Sequence, residues 1–99
     1  MSHQLRFAGA ALSDIERLYR FLSDQDIQAA DAAWHALEKA WELLSSFPFA
    51  ARKADAANPL LRELVIPFGG AGYVALYEID NDHTVTILAV RHQREDDYH

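Results

Sequence analysis

Read for hydrophobic periodicity, the chain changes its repeat several times. Over residues 4–8, Leu5 and Phe7 alternate with Gln4 and Arg6, which predicts a short strand. Leu12, Ile15, Leu18, Tyr19 and Leu22 then recur at helical spacing. This amphipathic helix begins either at the capping-box pair Ser13 and Glu16 or a turn earlier, over residues 9–12. Ser23, Asp24, Gln25 and Asp26 interrupt it, and both aspartates suit the start of a second helix. There Ile27, Ala30, Trp34, Leu37, Trp41 and Leu44 form one continuous stripe, ended by Ser45, Ser46 and Pro48. So short a link predicts an antiparallel helical hairpin, with Trp34 and Trp41 as core aromatics.

Residues 49–58 show no periodicity and read as a loop closed by Pro59. Beyond them, residues 60–68, 73–79 and 84–90 read as three strands. Turns at Gly69, Gly70 and Gly72, and at Asp80, Asn81 and Asp82, join them into an antiparallel meander. The last strand runs straight into Arg91, His92, Gln93, Arg94 and Glu95, which places cationic groups at its exit. The predicted order is strand, helix, helix and a three-stranded meander. It makes residues 1–99 a single α+β domain, a two-helix hairpin packed on a small sheet.

Composition narrows the chemistry. Ninety-nine residues, 51% of them hydrophobic, suffice for one modest core. The chain has no cysteine, which removes disulfides, thiolate metal sites and thiol catalysis. His35 and His83 lack metal-ligand spacing, so neither a metal nor a cofactor is expected. No apolar run approaches the roughly 20 residues of a membrane span, and residues 1–6 lack the basic and apolar regions of a signal peptide. The expected compartment is the cytoplasm, with no membrane partner. Nine basic against fifteen acidic residues give a net charge of −6, so direct nucleic-acid binding should be weak.

An ordered set of residues spanning most of the chain carries a family resemblance. It comprises Ala11, Asp14, Ile15 and Tyr19 in the first helix, the helix ending at residues 44–48, Arg62 opening the meander, Tyr73 and Tyr77 in its second strand, and residues 87–94. With these the chain resembles the RelE/ParE superfamily of bacterial type II toxins, closer to the ParE branch. The resemblance implies a plasmid-stabilisation type toxin neutralised by a cognate antitoxin that wraps its helices and sheet. Tyr19, Tyr73 and Tyr77 are the implied antitoxin contacts, although Tyr73 and Tyr77 suit a core equally well. ParE-like members poison DNA gyrase, whereas RelE-like members cleave mRNA in the ribosome.

Metal-free RNA cleavage needs a base for the 2′-hydroxyl, a cation for the phosphorane and an acid for the leaving oxygen. Arg62, Arg91, His92 and Tyr98, with Glu63, are the candidates if the chain is a nuclease. Arg62 and Arg91 also have a plain reading as structural ion pairs, and His92 as a hydrogen-bonded surface residue. RelE-like nucleases are strongly basic, and here only Arg52 and Lys53 occupy the loop where lysines would concentrate. The acidic balance favours a protein target, so a non-catalytic gyrase inhibitor is the leading expectation, with Arg91, His92 and Arg94 contacting the target. The alternatives are the ribosome-dependent endonuclease and an inactive module that only binds its antitoxin.

Overall fold

The computed structural model describes residues 3–69 and 71–92. Strand β1 (Gln4–Phe7) leads into helices α1 (Gly9–Gln25) and α2 (Ile27–Ser46), followed by β2 (Arg52–Asp55), β3 (Asn58–Phe68), β4 (Ala71–Ile79) and β5 (Thr84–His92). Asp26 is the only non-helical residue between the helices. Its extended backbone donates to the Leu22 carbonyl at 2.8 Å, ending α1, and its carboxylate accepts from the Gln28 N–H at 2.9 Å, opening α2. One residue thus supplies both caps of the expected hairpin.

The sheet order is β1-β5-β4-β3-β2, with β1 parallel to β5 and every other pair antiparallel. The meander of β3, β4 and β5 is present as expected, but the sheet has five strands. Segment 49–58, expected to be a loop, contains β2, whose Arg52, Lys53 and Asp55 lie opposite Glu63, Arg62 and Asn58. All four β2 residues are exposed, so the strand has no buried face to produce alternation in the sequence. Gly69 takes φ +61° at the end of β3, a left-handed conformation that only glycine adopts freely.

One face of the sheet carries the core. Register places Leu5 beside Val85, Phe7 beside Ile87, and Tyr73, Ala75, Tyr77 and Ile79 opposite His92, Val90, Ile87 and Val85. Ile87 faces Tyr77 while Ala89 faces Leu76, so β5 holds one extra residue, Leu88. This bulge shifts the alternation: Val85 and Ile87 point at the helices before it, Val90 and His92 after it. The helices meet this face through Ala11, Leu18, Ala33, Leu37, Ala40 and Leu44. Half of that set is alanine, which lets the helix backbones approach the sheet closely.

The alanines also rotate α2 away from the expected orientation. Its buried stripe is Ala30, Ala33, Leu37, Ala40 and Leu44, and Trp34 is 46% exposed. Trp34 is therefore not a core residue. It packs edge-on against Tyr19 of α1 on the outer side of the hairpin, with ring centroids 5.9 Å apart. Trp41, by contrast, packs edge-on against Phe7 of β1 at 5.3 Å, partly buried as a core aromatic.

These orientations predict unequal costs in urea denaturation. Leu44→Ala should cost about 2–5 kcal/mol as a buried large-to-small change. Trp34→Ala should lose little more than its aromatic pair, about 0.5–1.5 kcal/mol.

Candidate functional site

The strand exit singled out in the sequence is built around Asp14. Strand β1 accompanies β5 only as far as the pair Phe7 and Ile87, with one further ladder bond from the Ala8 N–H to the Ile87 carbonyl at 2.9 Å. Beyond that point no strand among the described residues lies beside the β5 edge, and its buried N–H groups need another acceptor. Asp14 supplies one. It is 5% exposed, on the inner stripe of α1 between Ala11 and Leu18, and its Oδ2 accepts the Val90 N–H at 2.9 Å.

The same carboxylate forms an ion pair with Arg91, and its Oδ1 lies 3.5 Å from Arg17. Arg91 also donates through Nη1 to the Val90 carbonyl at 3.3 Å. Its guanidinium is thus tied to the β5 edge and α1. His92 sets its ring edge-on to Tyr73 at 5.7 Å. Arg94 and Tyr98 lie outside the described residues.

Arg62 has a separate role. Nε donates to the Pro59 carbonyl at 2.7 Å, Nη1 donates to the carbonyls of Ala51 at 2.9 Å and Phe49 at 3.5 Å, and the guanidinium lies 5.2 Å from the Phe49 ring centroid. It therefore ties the segment leading into β2 onto β3. Beside it, the Tyr77 hydroxyl donates to the Pro48 carbonyl at 2.6 Å. Burial pushes the Tyr77 phenol up to about 12, against the opposing effects of the Arg62 charge and a hydrogen bond with the Ala51 backbone. Burial also raises the Tyr73 phenol. Glu63 is bonded by the Arg52 Nε at 2.8 Å across the β2–β3 pair.

The sheet register separates the residues that a nuclease would bring together. Arg62 lies opposite Tyr77 with its Cβ on the helix-covered face, whereas the Arg91 Cβ, opposite Val74, is on the other face and its guanidinium turns back to Asp14 of α1. Their positions are also offset by three residues along the sheet and two strands across it, about 10 Å in each direction. Arg91 and His92, as consecutive strand residues, likewise project to opposite faces. Tyr73 and Tyr77, expected to contact an antitoxin, are 2% and 0% exposed and belong to the core. Of the three tyrosines only Tyr19 is exposed.

Tyr19, an implied antitoxin contact, shares an exposed surface with Trp34, which was expected in the core. A groove of about 840 Å³ lies along the outer side of the hairpin, lined by Leu12, Ile15 and Tyr19 of α1 and Trp34 of α2, with Glu16, Arg20 and Asp31 among its polar lining. Leu12 is 55% exposed and Tyr19 36%. Leu12, Tyr19 and Phe21 of α1 thus face outward while Ala11, Asp14 and Leu18 face the sheet. The available signal was Asp14 itself, which falls on the same helical stripe as Ala11 and Leu18. No described helix is long and apolar enough to cross a membrane.

Comparison with known proteins bears on this geometry. Residues 5–97 match the family described as the ParE toxin of the type II toxin-antitoxin system parDE. Among solved structures, the chain is similar to one from the chromosomal ParDE toxin-antitoxin system of P. aeruginosa, with a TM-score of 0.70 and 14% identity over 92% of this chain and 96% of that one. It is also similar to a chain of the RelBE2 toxin-antitoxin complex of Mycobacterium tuberculosis, with a TM-score of 0.60 and 26% identity over 93% and 99%. No curated protein matches in sequence.

Two outcomes follow from the bonds around the site. Asp14→Ala should cost roughly 2–4 kcal/mol in chemical denaturation, because the Val90 N–H and Arg91 both lose their acceptor; Asp14→Asn, which keeps an acceptor oxygen, should cost less. Since the folded-state phenol of Tyr77 lies above its unfolded value, its contribution to stability is complete below pH about 10 and fades as pH rises toward 12. Tyr77→Phe should flatten that alkaline loss in pH-dependent thermal melts, while lowering stability at neutral pH by about 1–3 kcal/mol through the unpaired Pro48 carbonyl.

Proposed function

The chain belongs to the ParE toxin family of type II toxin-antitoxin systems, and from that premise we propose that it is a toxin neutralised by a cognate antitoxin which, once released, inhibits DNA gyrase without catalysing a reaction. The observation that carries this reading is the dispersal of its cations. Arg62 is spent on the carbonyls of residues 49, 51 and 59 and Arg91 on Asp14 of α1, two strands across the sheet from it. A phosphate-cleaving centre needs such groups to converge on one atom. A net charge of −6 works against RNA binding as well, while a protein target makes no demand for a basic surface.

The hairpin groove supports the antitoxin part of the proposal. Leu12, Ile15, Tyr19 and Trp34 form an apolar strip of the kind that receives the apolar side of an amphipathic helix, with charged residues at its margin. His92, and Arg94 outside the described residues, remain proposed target contacts, while Arg91 is held by Asp14.

Expression without the antitoxin should cause filamentation with a DNA damage response, and the purified chain should block supercoiling by gyrase. Codon-boundary cleavage of ribosome-bound mRNA with supercoiling intact would overturn the gyrase reading, and unchanged growth would leave an antitoxin-binding module. In the groove, Tyr19→Asp or Leu12→Asp should weaken antitoxin binding about 30-fold or more in calorimetric titration, the effect of losing an interface hot spot.

A further inference from the structure

Between the two helices and β1 lies a cavity of about 290 Å³. Trp34, Leu37, Glu38 and Trp41 line it from α2, a spacing that puts all four on one side of the helix over two turns. Leu12 and Ile15 line it from α1, and Phe7 from β1. Both indoles are already held: Trp41 stands edge-on to Phe7 at 5.3 Å, and Trp34 edge-on to Tyr19 at 5.9 Å. Little side-chain freedom is left to lose when a ligand enters. Leu12, Ile15 and Trp34 also border the outer groove, whereas Phe7, Leu37 and Trp41 line the cavity and not the groove.

Glu38 is the charged residue of this lining. Its Oε1 lies 3.2 Å from Nδ1 of His35, a residue that lines the space between α2 and β3. Among the described residues no hydrogen bond or ion pair engages Oε2. A carboxylate beside two indoles attracts an organic cation, because tryptophan presents the ring face with the strongest pull on positive charge. The net charge of −6 acts in the same direction. One carboxylate supplies too few oxygen ligands for a metal ion. Volume sets the size of the ligand: an apolar cavity of about 150 Å³ takes benzene, so this one holds a ring with a short charged arm.

We propose that this cavity binds a small organic ammonium ion, its hydrocarbon part against Leu12, Ile15 and Leu37 and its N–H groups toward Glu38 beside the indoles of Trp34 and Trp41. A neutral molecule of the same shape leaves the Glu38 charge unmatched, and an anion is repelled by it. Binding of such an ion requires neither an antitoxin nor a target, so the site stands or falls apart from the proposed function.

The test titrates the full chain with phenethylammonium and, for comparison, with phenethyl alcohol and phenylacetate, which keep the ring and replace the charge. The chain has two tryptophans and both line the cavity, so indole fluorescence and the two indole N–H resonances report on it directly. Phenethylammonium should saturate with a Kd of about 1 mM or tighter and shift both resonances. The alcohol and phenylacetate should each bind at least about 5-fold more weakly. Glu38→Gln, at a side chain 53% exposed and with its folding checked by thermal unfolding, should weaken the ammonium by about 5-fold and leave the alcohol unchanged. No saturable change with phenethylammonium would overturn the site. Equal affinities for the ammonium and the alcohol, or a Glu38→Gln chain that binds the ammonium as tightly as the wild type, would overturn the assignment to a cation.

Discussion

A strand that outruns its neighbour leaves buried donors behind, and in this protein a helix side chain meets that demand. Because β1 ends at Phe7, the edge of β5 near Val90 is completed by the Asp14 carboxylate, which joins α1 to the sheet at the strand exit. Arg91 shares that carboxylate, so a cation that looked available for a partner is drawn into the scaffold. The position of α1, the end of the β1–β5 ladder and the orientation of Arg91 therefore depend on one acidic group. An aspartate on the inner face of an amphipathic helix would ordinarily be costly. Here its bonds to Val90 and Arg91 offset that cost.

The division of apolar residues on the helices has a related cause. Alanine at positions 11, 33 and 40 brings the helices close to the sheet, and the core is filled from the sheet side by Tyr73, Tyr77, Val85, Ile87 and Val90. Large residues at Leu12, Tyr19 and Trp34 are left on the outer surface, where they form a groove rather than a core. The small inner residues and the large outer ones are consequently parts of one arrangement. It gives the domain a packed interior and a surface suited to protein contact.

Periodicity in the sequence was enough to place the first strand, the helical hairpin and the meander, because each has one apolar face and a polar interruption at its ends. The fully exposed β2 was missed because it has no such face. Trp34 was misassigned for a different reason: counting large residues favours the stripe that contains tryptophan, whereas the buried stripe consists mostly of alanine. At the strand exit the residue types were visible but their partners were not. Whether Arg91 faces a ligand or a carboxylate depends on a contact with a residue 77 positions away in the chain, which no local spacing encodes.

The extra residue at Leu88 bears on how this segment can vary over time. The unpaired position lets Ile87 and Val90 both reach the core across an interval that simple alternation would not allow. Substituting one apolar residue for another there changes packing. Deleting one restores plain alternation, in which Ile87 and Val90 stand two residues apart and both still face the core, so the strand straightens without turning over. Lineages of this domain can therefore lose one residue at the bulge and keep the inside and outside of the strand, and an alignment that places a single gap there joins like faces.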